Sequence, residues 1–168
     1  MVTLKHGEPL RGRVLSRYEP GNLTLQVGRK RQPVPLAEIT GIDTVRDRVR
    51  EFFALLDRLP DNLKHRWFMV QWATDHELPD LARLIALDLV LRDPDHDGAH
   101  TLLGHRRRGG EWYWPHDGGW LPLAAVEKER SDWSDAWHLE GEHFHVESNA
   151  ALRRVVDAVI DLERFHLA

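Results

Sequence analysis

Apolar and polar residues alternate through the first forty positions, and further along the chain the spacing lengthens to threes and fours. Leu23, Leu25 and Val27 alternate with Thr24 and Gln26, as do Leu10, Gly12, Val14 and Ser16 with their neighbours. A period of two predicts half-buried strands. The stretches VTLK, LRGRVLSRY, NLTLQV and QPVPL read as strands, broken by HGEP, EPGN and GRKR, and AEITGID supplies a short turn and a last strand. Gly12 inside a strand predicts a sharp bend. From residue 44 the pattern is helical. Val45, Val49, Phe52, Leu56 and Leu59 share one face over 44–59, with Thr44 or Asp43 as cap and Pro60 as stop. A helix capped by Asp61 then carries Leu63, Trp67 and Val70, and DHELPD interrupts it. The helix that follows is apolar on two sides (Ala82, Ile85, Ala86, Leu89; Leu84, Leu87, Leu91), which predicts a sandwiched helix. DPDHDGAHTLLG ends that helix and opens a third. Residues 105–148 return to β, with turns at RGG and HDGG, a short helical or irregular AAVEKERSDWSDAW, and HLEGEHFHVES as one strand. Ser148 or Asn149 caps a last helix bearing Leu152, Val155, Val156, Val159 and Leu162. That helix meets no stop signal before Ala168, which implies a chain cut there or continuing beyond.

The pattern therefore predicts an α+β chain in three parts: 1–43 a small β-barrel, 44–104 a helical segment, and 105–168 a Trp- and His-rich β-segment with a C-terminal helix. LKHGEPLRGRVLSRYEPGNLTLQV resembles the opening of Sm-like domains, and four or five short strands fit an SH3-like or Sm-like barrel. The polar loop residues with which RNA-binding Sm proteins hold a base are not clearly present: Asn22 is the one candidate, and it reads first as a plain turn residue. The helix pair of residues 61–104, with Ala82, RDPDH and A…LLG, resembles a tetratricopeptide repeat over about one and a third units. A solenoid needs at least three units, so the expectation is an isolated hairpin.

Composition narrows the functions. The 168 residues are 42% hydrophobic and 30% charged with a formal net charge of −4, the balance of a soluble globular protein. No apolar run reaches membrane-spanning length, so membrane insertion is not expected, and the start lacks a signal-peptide core. A cytoplasmic protein and an exported one with its signal removed both fit. The acidic balance argues against nucleic acid as the main partner. With no cysteine, thiolate nucleophiles and cysteine-ligated metals are excluded. HExxH, GxSxG, P-loop and GxGxxG patterns are missing, and DPDHDG lacks the spacing of a calcium loop.

Eleven histidines and seven tryptophans remain to be explained. In EGEHFHVES, His143, His145 and Glu147 fall on one face of a strand, where imidazoles two apart can share zinc or another divalent cation. The alternative is a solvated polar face, since a stable site needs further ligands and only His116, His138 and Glu140 are at hand. Arg106, Arg107 and Arg108 are a basic patch beside aromatics, and read as a phosphate contact or a solvated turn. The tryptophans from Trp112 to Trp137 are expected in a core.

Taken together, LLGHRRRGGEWYW…GGWLPL…HFHVESNAALRRVVDAVIDLERF resembles the non-catalytic N-terminal region of large bacterial proteins that continue into a zinc-metallopeptidase-like domain. That resemblance implies an interaction or scaffolding module with a protein partner, no catalytic residue in this chain and no resident cofactor. A metal-dependent hydrolase using the histidine-rich C-terminal half, and an Sm-like RNA-binding protein, are the alternatives.

Overall fold

The computed structural model describes residues 1–15 and 21–167. It is a mixed α+β chain with small antiparallel sheets and six α-helices among the described residues, divided into two compact units, Met1–Asp47 and Arg48–Ala168. No helix among them is long and apolar enough to cross a membrane.

In the first unit β1 (Val2–Leu4) pairs with β5 (Ile39–Ile42). The strands β2 (Arg13–Val14), β3 (Asn22–Val27) and β4 (Lys30–Pro35) form a meander, and a bridge from Val2 to Leu10 ties the N-terminal strand to the chain entering β2. Alternation places Leu23 and Leu25 inside with Val2 and Val34, flanked by Leu4, Leu10, Val27 and Ile39. Gly12 is needed for close approach: a Cβ there would lie 2.5 Å from the Gln26 carbonyl oxygen. Val14, expected inward, is exposed. Ser16 and the start of the EPGN turn lie outside the described residues.

The second unit begins within α1 (Val45–Leu56). Thr44 Oγ1 accepts from the Asp47 amide while Asp47 accepts from the Thr44 amide, a reciprocal capping box. Val49, Phe52 and Phe53 are buried, whereas Val45 is exposed. The helices α2 (Leu63–Asp75) and α3 (Pro79–Arg92) pack on each other across the DHELPD break, where Glu77 takes a positive φ and Pro79 opens the next helix. Asn62, not Asp61, caps α2, its side chain accepting from the His65 amide; Asp61 is drawn instead to Arg66 and Arg92. Eight residues of α3 are buried, as a helix apolar on two sides requires.

After α4 (Asp97–Leu102), β6 (Arg106–Arg108), β7 (Glu111–His116) and β8 (Gly119–Pro122) form a second meander leading into α5 (Leu123–Glu129). HLEGEHFHVES is not one strand but a hairpin, β9 (Trp137–Glu140) and β10 (His145–Ser148), closed by a Gly141 amide donating to the Phe144 carbonyl. The final helix α6 (Leu152–Leu167) packs on α3 and β9. The expected caps of α6 act elsewhere: Asn149 donates to the Ser131 carbonyl and Ser148 accepts from Ala150, while the Leu152 amide reaches Glu127. One core runs through the whole second unit, from Val49 and Phe52 through α3 to Trp114, Trp137 and Val159. Trp114 and Trp137 are in that core, Trp112 and Trp120 are half-buried, and Trp133 is 60% exposed, so the tryptophans are not a uniform core set.

Candidate functional site

The histidine-rich hairpin separates the three residues singled out as metal ligands. His145 and Glu147 lie in β10, opposite Glu140 and His138 of β9. His145 Nδ1 is 2.7 Å from Glu140, and its Nε2 is 3.4 Å from His138 Nδ1. His143 sits in the turn and is held by α6. Its amide and its Nδ1 each lie 2.8 Å from an oxygen of Glu163, a carboxylate with no exposed surface. Gly141 packs so tightly on Glu163 that a Cβ would collide with it. Glu142 turns the other way and accepts from the Asp80 and Leu81 amides at the N-terminus of α3. Burial raises its carboxyl above the usual value. EGEHFHVES is thus a staple joining the start of α3 to the end of α6. Among the described residues no group of three His, Asp or Glu side chains is arranged to hold a metal ion.

A second buried carboxylate, Asp88 of α3, gathers three guanidinium groups. Arg92 Nε lies 3.0 Å from Oδ1 and Arg153 of α6 closes on the same oxygen. Arg66 of α2 stands 2.7 Å from Oδ2, off the hydrogen-bonding direction, so that oxygen is paired by charge alone. Arg66 and Arg92 also hold Asp61, and Arg66 above all keeps that carboxyl below its ordinary value. The cluster ties α2, α3 and α6 together.

The third feature is a pocket of about 390 Å³ at the ends of α3, α4 and β7, lined by Leu91, Pro94, His100, Trp112, Trp114 and Leu123 among others. His100 is part of its wall and meets, behind it, a second buried histidine, His105. His100 Nε2 is 2.9 Å from the Pro94 carbonyl, which only accepts, so that nitrogen carries the hydrogen. Burial lowers the His100 imidazole and takes His105 down to about 3, with the charges of His100 and Arg83 adding to the latter. Both rings are therefore neutral at pH 7. His105 Nδ1–H thus donates to His100 Nδ1 across 2.7 Å, the Pro94 carbonyl setting the His100 tautomer and His100 setting that of His105. Trp112 stacks on His100 at 4.2 Å and 5°, and Trp114 lies 4.0 Å from His105. The Trp112 Nε1–H is buried without a hydrogen-bond partner.

The other face of the β6–β8 sheet follows from the alternation of β7. There Arg106 stacks on Trp120 at 4.1 Å and Arg108 lies 5.9 Å over Tyr113, so the basic run is braced on aromatic rings. His116, on the inner face, is buried beside Glu129, with Asp117 at 3.3 Å and Arg130 at 3.4 Å.

Compared with protein-family models, with curated proteins and with solved structures, the chain matches none. The site is therefore read from geometry. Sequence reasoning missed Asp88, Glu163 and the His100–His105 pair. The first two carried a signal: each stands at a core position of its helix, Glu163 four residues after Val159 and Asp88 four after Leu84. The histidine pair carried none, because neutrality and tautomer depend on tertiary burial.

Proposed function

We propose that this chain is a non-catalytic interaction module, the N-terminal part of a larger peptidase-like protein. The observation that carries the reading is what the buried ionisable groups are doing. Asp88 is bound by three arginines, Glu163 by His143, His116 by Glu129, and His100 and His105 by each other. A general base or nucleophile needs a group poised toward a substrate. These groups instead join one element to the next. The pocket is aromatic and apolar with few polar groups, a lining suited to binding. In the first unit the β2–β3–β4 meander and the β1–β5 pair, bridged by Val2 and Leu10, support the SH3-like or Sm-like reading. The α2–α3 pair followed by α4 supports the tetratricopeptide-like one.

The test is turnover. The purified chain, given generic peptide and ester substrates with and without added zinc, is expected to cleave none. Cleavage abolished by a chelator and by His143→Ala would overturn the proposal in favour of a metal-dependent hydrolase. Salt-sensitive RNA binding at sub-micromolar affinity, lost on changing Asn22 or Lys30, would overturn it in favour of an Sm-like RNA-binding protein.

A further inference from the structure

We propose that the outer face of the β9–β10 hairpin binds a divalent transition-metal ion, zinc foremost, through His138 and His145, with Glu140 orienting one ring and Glu147 turning in as a third ligand. The ligand set differs from the one expected of the sequence. His143 is engaged by Glu163, and His138 stands beside His145 in its place.

The register sets four side chains at the corners of a square. Glu147 stands opposite His138 and Glu140 opposite His145, and alternation turns all four to the face away from Trp137, Leu139 and Val146. One diagonal carries the two imidazoles and the other the two carboxylates. Diagonal neighbours on paired strands are about 7–8 Å apart, within reach of long side chains. All four residues are exposed, so an ion can enter without disturbing the core.

The nitrogens carry the inference. His145 Nδ1 lies 2.7 Å from Glu140, and a carboxylate only accepts, so Nδ1 carries the hydrogen and Nε2 of the neutral ring keeps its lone pair. That Nε2 faces His138 Nδ1 at 3.4 Å, longer than the usual N–H hydrogen bond of about 2.7–3.2 Å. With the His138 hydrogen on its own Nε2, two lone pairs meet across the gap. Two nitrogens each about 2.0–2.1 Å from a tetrahedral ion are about 3.3–3.4 Å apart. His138 and His145 thus stand at the spacing of two ligands of one ion. The Glu140 contact is the carboxylate–histidine arrangement that fixes ring and tautomer for a metal.

Among the described residues no three side chains already surround one point. The remaining positions fall to water and to Glu147, whose carboxylate reaches the centre of the square from the corner beside His138. Imidazole suits zinc, copper and nickel, whereas calcium and magnesium take oxygen ligands. The ion would clamp β9 to β10 and so tighten the staple between α3 and α6. It goes beyond the interaction-module reading and adds no catalytic group to it.

The experiment is isothermal titration of the full chain with zinc chloride, and separately with calcium chloride. One zinc per chain is expected at a Kd on the order of micromolar, and no heat from calcium. His138→Asn and His145→Asn should each weaken zinc binding by about tenfold or more, and Glu140→Ala by about tenfold. His6→Asn, in the first unit, should change nothing. Circular dichroism establishes that the variants are folded. In nitrogen–proton correlation spectra of the imidazoles, zinc should shift His145 Nε2 and His138 Nδ1. Without zinc, Glu140→Ala should release the His145 tautomer, which a merely structural role for Glu140 would leave unmoved. No saturation below about 1 mM, zinc affinity unchanged in either histidine variant, calcium binding as tight as zinc, or zinc shifts confined to other histidines would overturn the inference. None of those results touches the non-catalytic reading, which falls to turnover or to tight RNA binding.

Discussion

Asp88 is 1% exposed, and among the described residues Arg66, Arg92 and Arg153 pair with it. A buried ion cluster is weak evidence of net stability, but removing one member leaves the others unpaired. Arg92 and Arg153 are each about a third exposed and can turn to water, while Arg66 is held at 14%. Asp88→Ala should therefore destabilise the second unit by roughly 3 kcal/mol, near the lower end for a broken buried pair. Urea unfolding checks it, and a midpoint equal to the parent's would reduce the cluster to decoration. His143→Ala removes the ring that bonds Glu163 Oε2 and leaves that buried oxygen without its partner, and should cost about 1–3 kcal/mol. If His143 were a metal ligand instead, the same variant would lose zinc affinity and keep its stability in chelator. At this scale the sequence was half legible. The positions of Asp88 and Glu163 on their apolar stripes can be counted from the chain. Their partners cannot, because Arg153 is 65 residues from Asp88 and His143 is 20 from Glu163.

Elements were read better than residues, and the reason is periodicity. The stripes of α1, α3 and α6 and the alternation of β3 are set by local spacing, and the structure puts Phe52, Ile85, Val156 and Leu25 inside as that spacing requires. The hairpin at 137–148 was misread as one strand because its turn lacks an Asn-Gly or Asp-Gly signal. Gly141 is there for its fit against Glu163, and the turn is held by Glu142 and His143 bonding to distant helices. The tryptophans were overcounted as core because composition does not say which side of a strand faces inward. In β7 the inner face takes Trp112 and Trp114; in β8 Trp120 falls on the outer face with Arg106 across it. Trp137→Ala should thus cost about 3–5 kcal/mol, the range for emptying a core aromatic site. Trp120→Ala should cost only about 1 kcal/mol, a half-buried ring and its arginine contact. Equal losses for the two would contradict the sheet faces as described.

The buried histidine pair and the two-unit build act on the whole molecule. Folded His105 takes up a proton only near pH 3, whereas the unfolded chain takes it up near 6.5. Between those values the unfolded state holds the extra proton, so stability is complete above about 6.5 and is lost as the pH falls. His100 is lowered in the same direction, while Glu142, raised by burial, offsets part of the loss near its own range. By pH 4.5 the His105 contribution reaches roughly 2–3 kcal/mol. Urea midpoints from pH 7.5 to 4.5 should fall more steeply for the parent than for His105→Phe, and coincident slopes would rule the pair out as the cause. That loss belongs to the second unit, and the first should open on its own terms. Among the described residues its buried core is Val2, Leu23, Leu25 and Val34, against a continuous core from Val49 to Val159 in the second. A unit of 47 residues buries too little apolar surface to match that. Openings that release it alone should therefore need less free energy than global unfolding. Native-state hydrogen exchange read by mass spectrometry should find peptides covering Leu23, Leu25 and Val34 exchanging well before those covering Phe52, Ile85, Leu89 and Val156. Equal protection across both sets, with a single thermal transition, would mean that the chain unfolds as one cooperative body.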